Sequence, residues 1–262
     1  MSSTVAVVTG AARGFGREIA RRLVARGHTV VLTDVDPAGV AEAAAELGAT
    51  GLVADARVPA EHRRVAAAAA ELGPVAVWVN NAGVLRTGKA WELSDADVAL
   101  QLEVNLAGVV HGSRAAVGVM RERGGHLLNI ASMSAHGPVP GLAVYAATKA
   151  AVLNFSLSLQ GDLDAERVPV RVHALCPDVA DTALVRGEQG RRDSAILFAQ
   201  AVLLTPGQVA DAAVGMLDGR RLVRSLPVRR GVLARTGSVV PSVALRVLDR
   251  MRAQGEQRRA RP

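Results

Sequence analysis

Tyrosine occurs once in this chain of 262 residues, as Tyr145, and lysine only twice, as Lys89 and Lys149. Cysteine is equally scarce. Cys176 stands alone, which excludes an internal disulfide and a cysteine-based zinc site, and its apolar setting, "VHALCP", reads as a buried structural thiol. Aromatic residues make up only 2% of the chain, so stacking platforms for bases are few, and no reading motif accompanies the arginines; nucleic acid is not expected as a partner. Of the six histidines, those at 111, 126, 136 and 173 show no metal-ligand spacing, and no metal is expected. No apolar run reaches the roughly 18 residues that span a bilayer. The opening "MSSTVAVVTG" lacks the basic and apolar regions of a signal peptide, so the expected location is the cytoplasm.

Half of the residues are hydrophobic, enough to build a large core and to argue against disorder. The basic excess is concentrated at one end. Residues 219–262 carry 12 arginines against Asp249 and Glu256, whereas the preceding chain is net acidic.

Two patterns alternate along the chain. Short, nearly continuous apolar runs at 4–9, 28–34, 51–55, 75–80, 126–132 and 170–176 predict strands buried on both faces. Helical stretches fall between them at about 14–26, 37–47, 59–71, 95–121 and 143–165. This alternation implies right-handed crossovers and an α/β fold, a single doubly wound parallel sheet of Rossmann type flanked by helices. No linker rich in Gly, Ser or Pro divides it, so residues 1–225 read as one domain for dinucleotide binding and catalysis, and 226–262 as a basic, partly helical extension.

The first strand runs into "TGAARGFGREIA", where Gly10, Gly14 and Gly16 fall at a sharp strand-to-helix turn. Such a turn favours glycine, and the helix that follows offers free N–H groups to a pyrophosphate. The spacing is not G-x-G-x-x-G, so the commoner dinucleotide template misses it. Asp34, at the end of the second strand, is placed to accept the hydroxyls of an adenosine ribose and to repel a 2′-phosphate. It favours NAD over NADP. Arg13 could pair with a phosphate and blurs that preference, while Asp36 reads as a helix N-cap.

Tyr145 and Lys149 stand four residues apart in "AVYAATKA", on one helix face. A free phenol, with a pKa of about 10, is a poor base at neutral pH, and a nearby ammonium is expected to lower that pKa.

Taken in order, these motifs resemble the short-chain dehydrogenase/reductase family in its typical form of about 250 residues. The likeness covers roughly residues 4–225. It implies cofactor contacts from the loop holding Gly10, Arg13, Gly14, Phe15 and Gly16, from Asp55 and Ala56 in "VADAR", and from Asn81, Ala82 and Gly83 in "NNAG". Ser132 matches the family's catalytic serine, 13 residues before Tyr145, and Asn105 in "VNLAG" matches its helix asparagine. Thr182 matches the threonine that holds the nicotinamide carboxamide. Tyr145 would then be the general acid/base, and Lys149 would modify it electrostatically and bind the nicotinamide ribose. Ser132 would orient the substrate, and Asn105 would hold a relay water. The family usually has Pro-Gly after the sixth strand; here it is Pro177-Asp178, which puts a carboxylate beside the nicotinamide.

The resemblance implies an NAD-dependent oxidoreductase interconverting an alcohol and its carbonyl, and a homodimer or homotetramer. An NADP-dependent carbonyl reductase and a non-catalytic dinucleotide sensor are the alternatives. His136 lies in a loop that borders substrate in the family. Residues 183–204 read either as a flexible lid with an apolar inner face, suggesting a hydrophobic alcohol or ketone, or as an amphipathic helix on the core. In the extension, Val240, Val243, Val247, Leu248 and Met251 form an apolar stripe. It suits docking on the protein or a second subunit, or peripheral contact with a membrane surface.

Overall fold

The computed structural model describes residues 3–259. Seven parallel strands form one sheet: β1 (Val5–Thr9), β2 (Thr29–Asp34), β3 (Thr50–Val53), β4 (Val75–Asn80), β5 (Gly125–Ile130), β6 (Val170–Pro177) and β7 (Val223–Leu226). Their order across the sheet is β3-β2-β1-β4-β5-β6-β7. The chain winds outward from β1 in one direction and then resumes at β4 in the other. The crevice between the C-terminal ends of β1 and β4 is the place where such sheets bind ligands.

Strand residues alternate between two helical layers because successive side chains point to opposite faces. Ala6 and Val8 of β1 pack with α1 (Gly14–Ala25), α2 (Pro37–Leu47) and α8 (Pro206–Val214). Val5 and Val7 pack with α3 (Pro59–Leu72), α5 (Gly108–Met120) and α6 (Ala143–Ala165). Both faces of the central strands are therefore dry, as their unbroken apolar runs predict. α2 starts on Asp36, whose carboxylate accepts from the Gly39 N–H, and ends on Gly48 at φ +62°.

A polar seam runs beneath the crevice. Asn80 accepts from the Trp78 indole at 2.9 Å and donates to Ser113 Oγ and to Asn129 Oδ1 at 3.1 and 2.9 Å. Asn129 in turn donates to Ser156 at 2.9 Å. Each group finds a partner, as burial demands, and the seam fixes β4 and β5 against α5 and α6.

The expected helix over 95–121 is interrupted. α4 (Asp95–Leu102) passes through a π turn at Glu103–Ala107 before α5 begins. Strand β7 and helix α8 have no counterpart in the expected elements, and β7 carries the sheet up to Leu226, the first residue of the expected extension. Residues 223–226 pair in parallel with β6. Beyond them, α9 (Val228–Val239) and α10 (Pro241–Arg259) fold back over the C-terminal ends of the strands, and α10 packs on a 3-10 helix at Arg192–Phe198.

Candidate active site

A cleft of about 1270 Å³ opens along the switch point. At its phosphate end Gly10 has φ +63°, and a Cβ there would lie 2.6 Å from Ala82 Cα. Gly16 is as constrained, because a Cβ would come within 2.3 Å of the Gly10 carbonyl. Asn81 holds the loop by donating to the Thr9 and Gly10 carbonyls at 2.9 and 2.8 Å. α1 has no side-chain cap and no acidic residue in its first turn. Its first amides and positive dipole end remain for an anion, and a pyrophosphate fits there. Phe15 packs inward on the core, and Arg13 is largely exposed, 4.0 Å from Asp36.

Asp34 lines the same cleft. Its Oδ2 accepts from the Ala12 N–H and its Oδ1 from the Asp36 N–H, both at 3.1 Å, leaving further lone pairs for hydroxyl donors. Asp55 is taken up by Arg57 at 2.6 Å, and that hydrogen-bonded pairing holds its carboxyl below the usual range. The Ala56 carbonyl accepts from His62 Nε2 at 2.8 Å, which fixes the floor of this end.

At the other end, Ser132 follows β5 and Tyr145 opens α6. The Tyr145 hydroxyl bonds with Ser132. One turn further on, Lys149 donates to the Ile130 carbonyl at 2.9 Å, and its Nζ lies 5.8 Å from the Tyr145 ring centroid. The lowered tyrosine pKa expected from the sequence is not found. Burial pushes the phenol up to about 12, although the Ser132 bond pulls the other way. Burial also brings the Lys149 amine down to about 8. Desolvation disfavours the charged form of each group, so the resting pair at neutral pH is a neutral phenol beside an ammonium. Cys176 is fully buried and its thiol is pushed up to about 12, in keeping with a structural role.

Asn105 occupies the π turn. Its Oδ1 accepts from the Val84 N–H and its Nδ2 donates to the Val84 carbonyl, both at 2.8 Å. Both amide atoms thus help to fix the chain after β4, and Nδ2 also reaches Thr148 Oγ1 at 3.5 Å. Gly83 sits close by, and a Cβ there would be 3.8 Å from Lys149 Nζ.

Thr182 accepts from the Val185 N–H at 3.3 Å and so caps the short helix α7 (Ala183–Arg186). His136, which the sequence placed near substrate, is buried and bonded to Ser225 at 2.9 Å. Residues 183–204 form α7 and the 3-10 helix at Arg192–Phe198 rather than one amphipathic helix, and two of their side chains are tied to other elements. Glu188 accepts from the Thr87 N–H and hydroxyl at 2.8 and 2.7 Å. Asp178 accepts from Gln200 at 3.0 Å and pairs with Arg230 at 2.8 Å. Sequence reasoning did not single out Glu188, Gln200 or Arg230, because their partners lie 22 to 101 positions away.

A family profile described as short chain dehydrogenase matches residues 4–192. The chain belongs to the short-chain dehydrogenase/reductase family. It is 34% identical to a probable oxidoreductase, EphD, of Mycobacterium tuberculosis, over 95% of this chain and 45% of that protein; the chain thus spans about half the length of that relative. It is 40% identical to 1-deoxy-11-beta-hydroxypentalenate dehydrogenase of Streptomyces avermitilis, over 71% of this chain and 72% of that one. A solved short-chain dehydrogenase/reductase from Burkholderia phymatum, in complex with NAD, superposes with a TM-score of 0.80 at 29% identity, covering 95% of this chain and 94% of that one. Solved members of the family hold NAD or NADPH. No helix among the described residues is long and apolar enough to cross a membrane.

Proposed function

We propose that this protein is an NAD-dependent oxidoreductase that interconverts a hydrophobic alcohol and its carbonyl compound, with Tyr145 as general acid/base. The observation that carries this reading is the convergence of Ser132, Tyr145 and Lys149 at one end of a cleft whose other end suits a pyrophosphate. A binding protein would need the second end but not the first. The apolar residues around Tyr145, including Leu85, Leu142 and Ile196, support a hydrophobic substrate.

The cofactor, when bound, supplies the hydride acceptor or donor. Around it, the first turn of α1, Gly10 and Asn81 would hold the phosphates, Asp34 the adenosine ribose, Asp55 and Ala56 the adenine end, and Thr182 and Lys149 the nicotinamide end. Ser132 donates to the substrate oxygen and steadies charge developing there. Tyr145 gives its proton to that oxygen in carbonyl reduction and takes it in alcohol oxidation. The Lys149 ammonium stabilises the phenolate, and Asn105 would hold a relay water. Asp34 supports NAD over NADP. Self-association through the faces of α4–α5 and α6, where Leu102 and Leu157 stay exposed, belongs to the same proposal.

Replacing Tyr145 with Phe removes the transferable proton and little else. Turnover should fall by about 10²–10⁴-fold, with NADH affinity, measured by fluorescence titration, unchanged. Retained turnover would end the assignment.

A further inference from the structure

We propose that the outer face of α9 and the adjoining edge of α10 form a docking surface for the anionic face of a lipid bilayer, on which the protein lies without spanning it. The proposal does not depend on the reaction assigned to Tyr145.

Among the described residues, nearly half of the large apolar side chains left exposed fall within residues 228–247. Val228, Val232, Leu233 and Val239 on α9 are each more than half exposed. The three valines stand four and then seven residues apart, which puts them on one side of the helix. The opposite side is already taken. Gly231 is buried against β7, where a Cβ would collide with the Ser225 side chain, so α9 is not free to roll over and hide its valines. On α10, Val243 and Val247 continue the apolar face and are about half exposed. Apolar patches of this extent, rimmed by polar groups, mark interaction surfaces.

The charge around the patch says what covers it. Residues 219–248 hold seven arginines and no acidic residue. Arg246 and Arg250 stand three residues after Val243 and Val247, as neighbours on the helix surface. Both are exposed, as is Arg229 on α9. The carboxylates of this region pair with other arginines, Asp178 with Arg230 and Asp249 with Arg252. A second copy of the chain is the rival cover. A twofold contact sets the same patch against itself, and here it would bring these arginines face to face, where like charges repel. An anionic lipid surface neutralises them instead, while the apolar side chains enter the boundary between headgroups and acyl chains. No helix among the described residues could cross the bilayer, so the contact is a surface one. Leu233, Val243 and Val247 also line the cleft, and docking would therefore turn its mouth toward the lipid.

The test uses the full chain with two kinds of vesicle, phosphatidylcholine alone and phosphatidylcholine mixed with phosphatidylglycerol, separated by flotation. Binding to the mixed vesicles should be at least about tenfold tighter than to the neutral ones, and added salt should shrink that difference. Val232→Ser combined with Val239→Ser removes apolar surface without adding charge, and should weaken vesicle binding about tenfold or more. Arg229→Gln and Arg246→Gln should each weaken it about fivefold, and only on the anionic vesicles. All four side chains are exposed and lie outside the cleft lining, so Tm and turnover of a short soluble alcohol should stay as in the native protein. Molar mass in solution, read by light scattering, separates the rival cover: a mass that drops in the serine variant makes the patch a subunit interface and overturns the proposal. Native protein that floats with neither vesicle, equal binding to both, or binding that the serine variant leaves unchanged overturns it as well.

Discussion

Deleting the Lys149 ammonium while keeping its bulk is the most informative perturbation of the site. Nζ lies 5.8 Å from the Tyr145 ring centroid. A unit charge at that separation, in an effective dielectric of about 20, favours phenolate over phenol by about 3 kcal/mol, or about a hundredfold. Lys149→Met should therefore lower kcat/KM for alcohol oxidation about a hundredfold at neutral pH. The pH dependence follows from the same numbers. The native amine, held down at about 8, is an ammonium below that pH and neutral above it. The ratio of native to variant activity should be largest below pH 8 and shrink as pH rises. Carbonyl reduction should respond less, because the phenol, pushed up to about 12, already carries the proton it must give. Initial rates read by absorbance of the reduced nicotinamide, in both directions from about pH 6 to about pH 10, give these ratios. The variant leaves the Ile130 carbonyl without its donor, at a cost of about 1–3 kcal/mol in stability, so thermal melts must show it folded at each pH. A loss below about fivefold, or a ratio that does not change with pH, refutes the electrostatic argument.

Three further outcomes are expected. Asp34→Ala should weaken NADH about tenfold or more, by the loss of hydrogen bonds to a charged acceptor, and strengthen NADPH; native protein that binds NADPH more tightly would overturn the NAD reading. Gly112→Ala should lower Tm by several degrees. A Cβ there would lie 2.0 Å from Asn80 Oδ1, and overpacking costs about 1–3 kcal/mol at about 2–4 °C each for a domain of this size. Acid should destabilise the fold from about pH 6.5 downward. His28, His62, His111, His126, His136 and His173 are all held below the ordinary imidazole value, with burial the largest cause. The unfolded chain therefore takes up protons first, and stability is lost as pH falls through the unfolded and then the folded values. A Tm independent of pH between about 7 and 5 would contradict that sign.

The sheet was legible in the sequence because parallel strands carry continuous apolar runs, and six of the seven were found that way, although β3, at the edge of the sheet, is largely exposed rather than buried on both faces as its run had implied. β7, "VRSL", was not: its burial comes from pairing with β6 and from its covering helices, so two of its four residues could be polar. The π turn escaped for a related reason. "EVNLAG" carries nothing that separates it from the helix on either side, and what the turn accommodates is the pair of bonds between Asn105 and Val84, 21 residues earlier. The positions of Ser132, Tyr145 and Lys149 could be read from spacing, but their protonation could not. Spacing reports which groups meet, whereas burial decides what charge they keep, and burial is set by residues from β5, β6 and the segment after Thr182.

Asp178 shows how far that distinction reaches. As a letter in the sequence it is a negative charge beside a nicotinamide, and that alone suggests stabilisation of the oxidised, cationic ring. In the fold its side chain is only 7% exposed and is paired with Arg230 at 2.8 Å. A carboxylate neutralised at contact exerts little net field on a third group further away, because the fields of the two partners largely cancel. The consequence of replacing glycine is then mechanical. The carboxylate gives α9 and the segment ending at Gln200 a common anchor at the end of β6, and the compartment beside Tyr145 gains a wall. Asp178→Asn keeps much of the shape and leaves Arg230 without its counter-ion, so it should loosen that wall and raise KM for bulky alcohols. The equilibrium between bound oxidised and reduced cofactor should hardly move. A large shift in that equilibrium, read from the two cofactor affinities, would show that the charge acts on the ring after all.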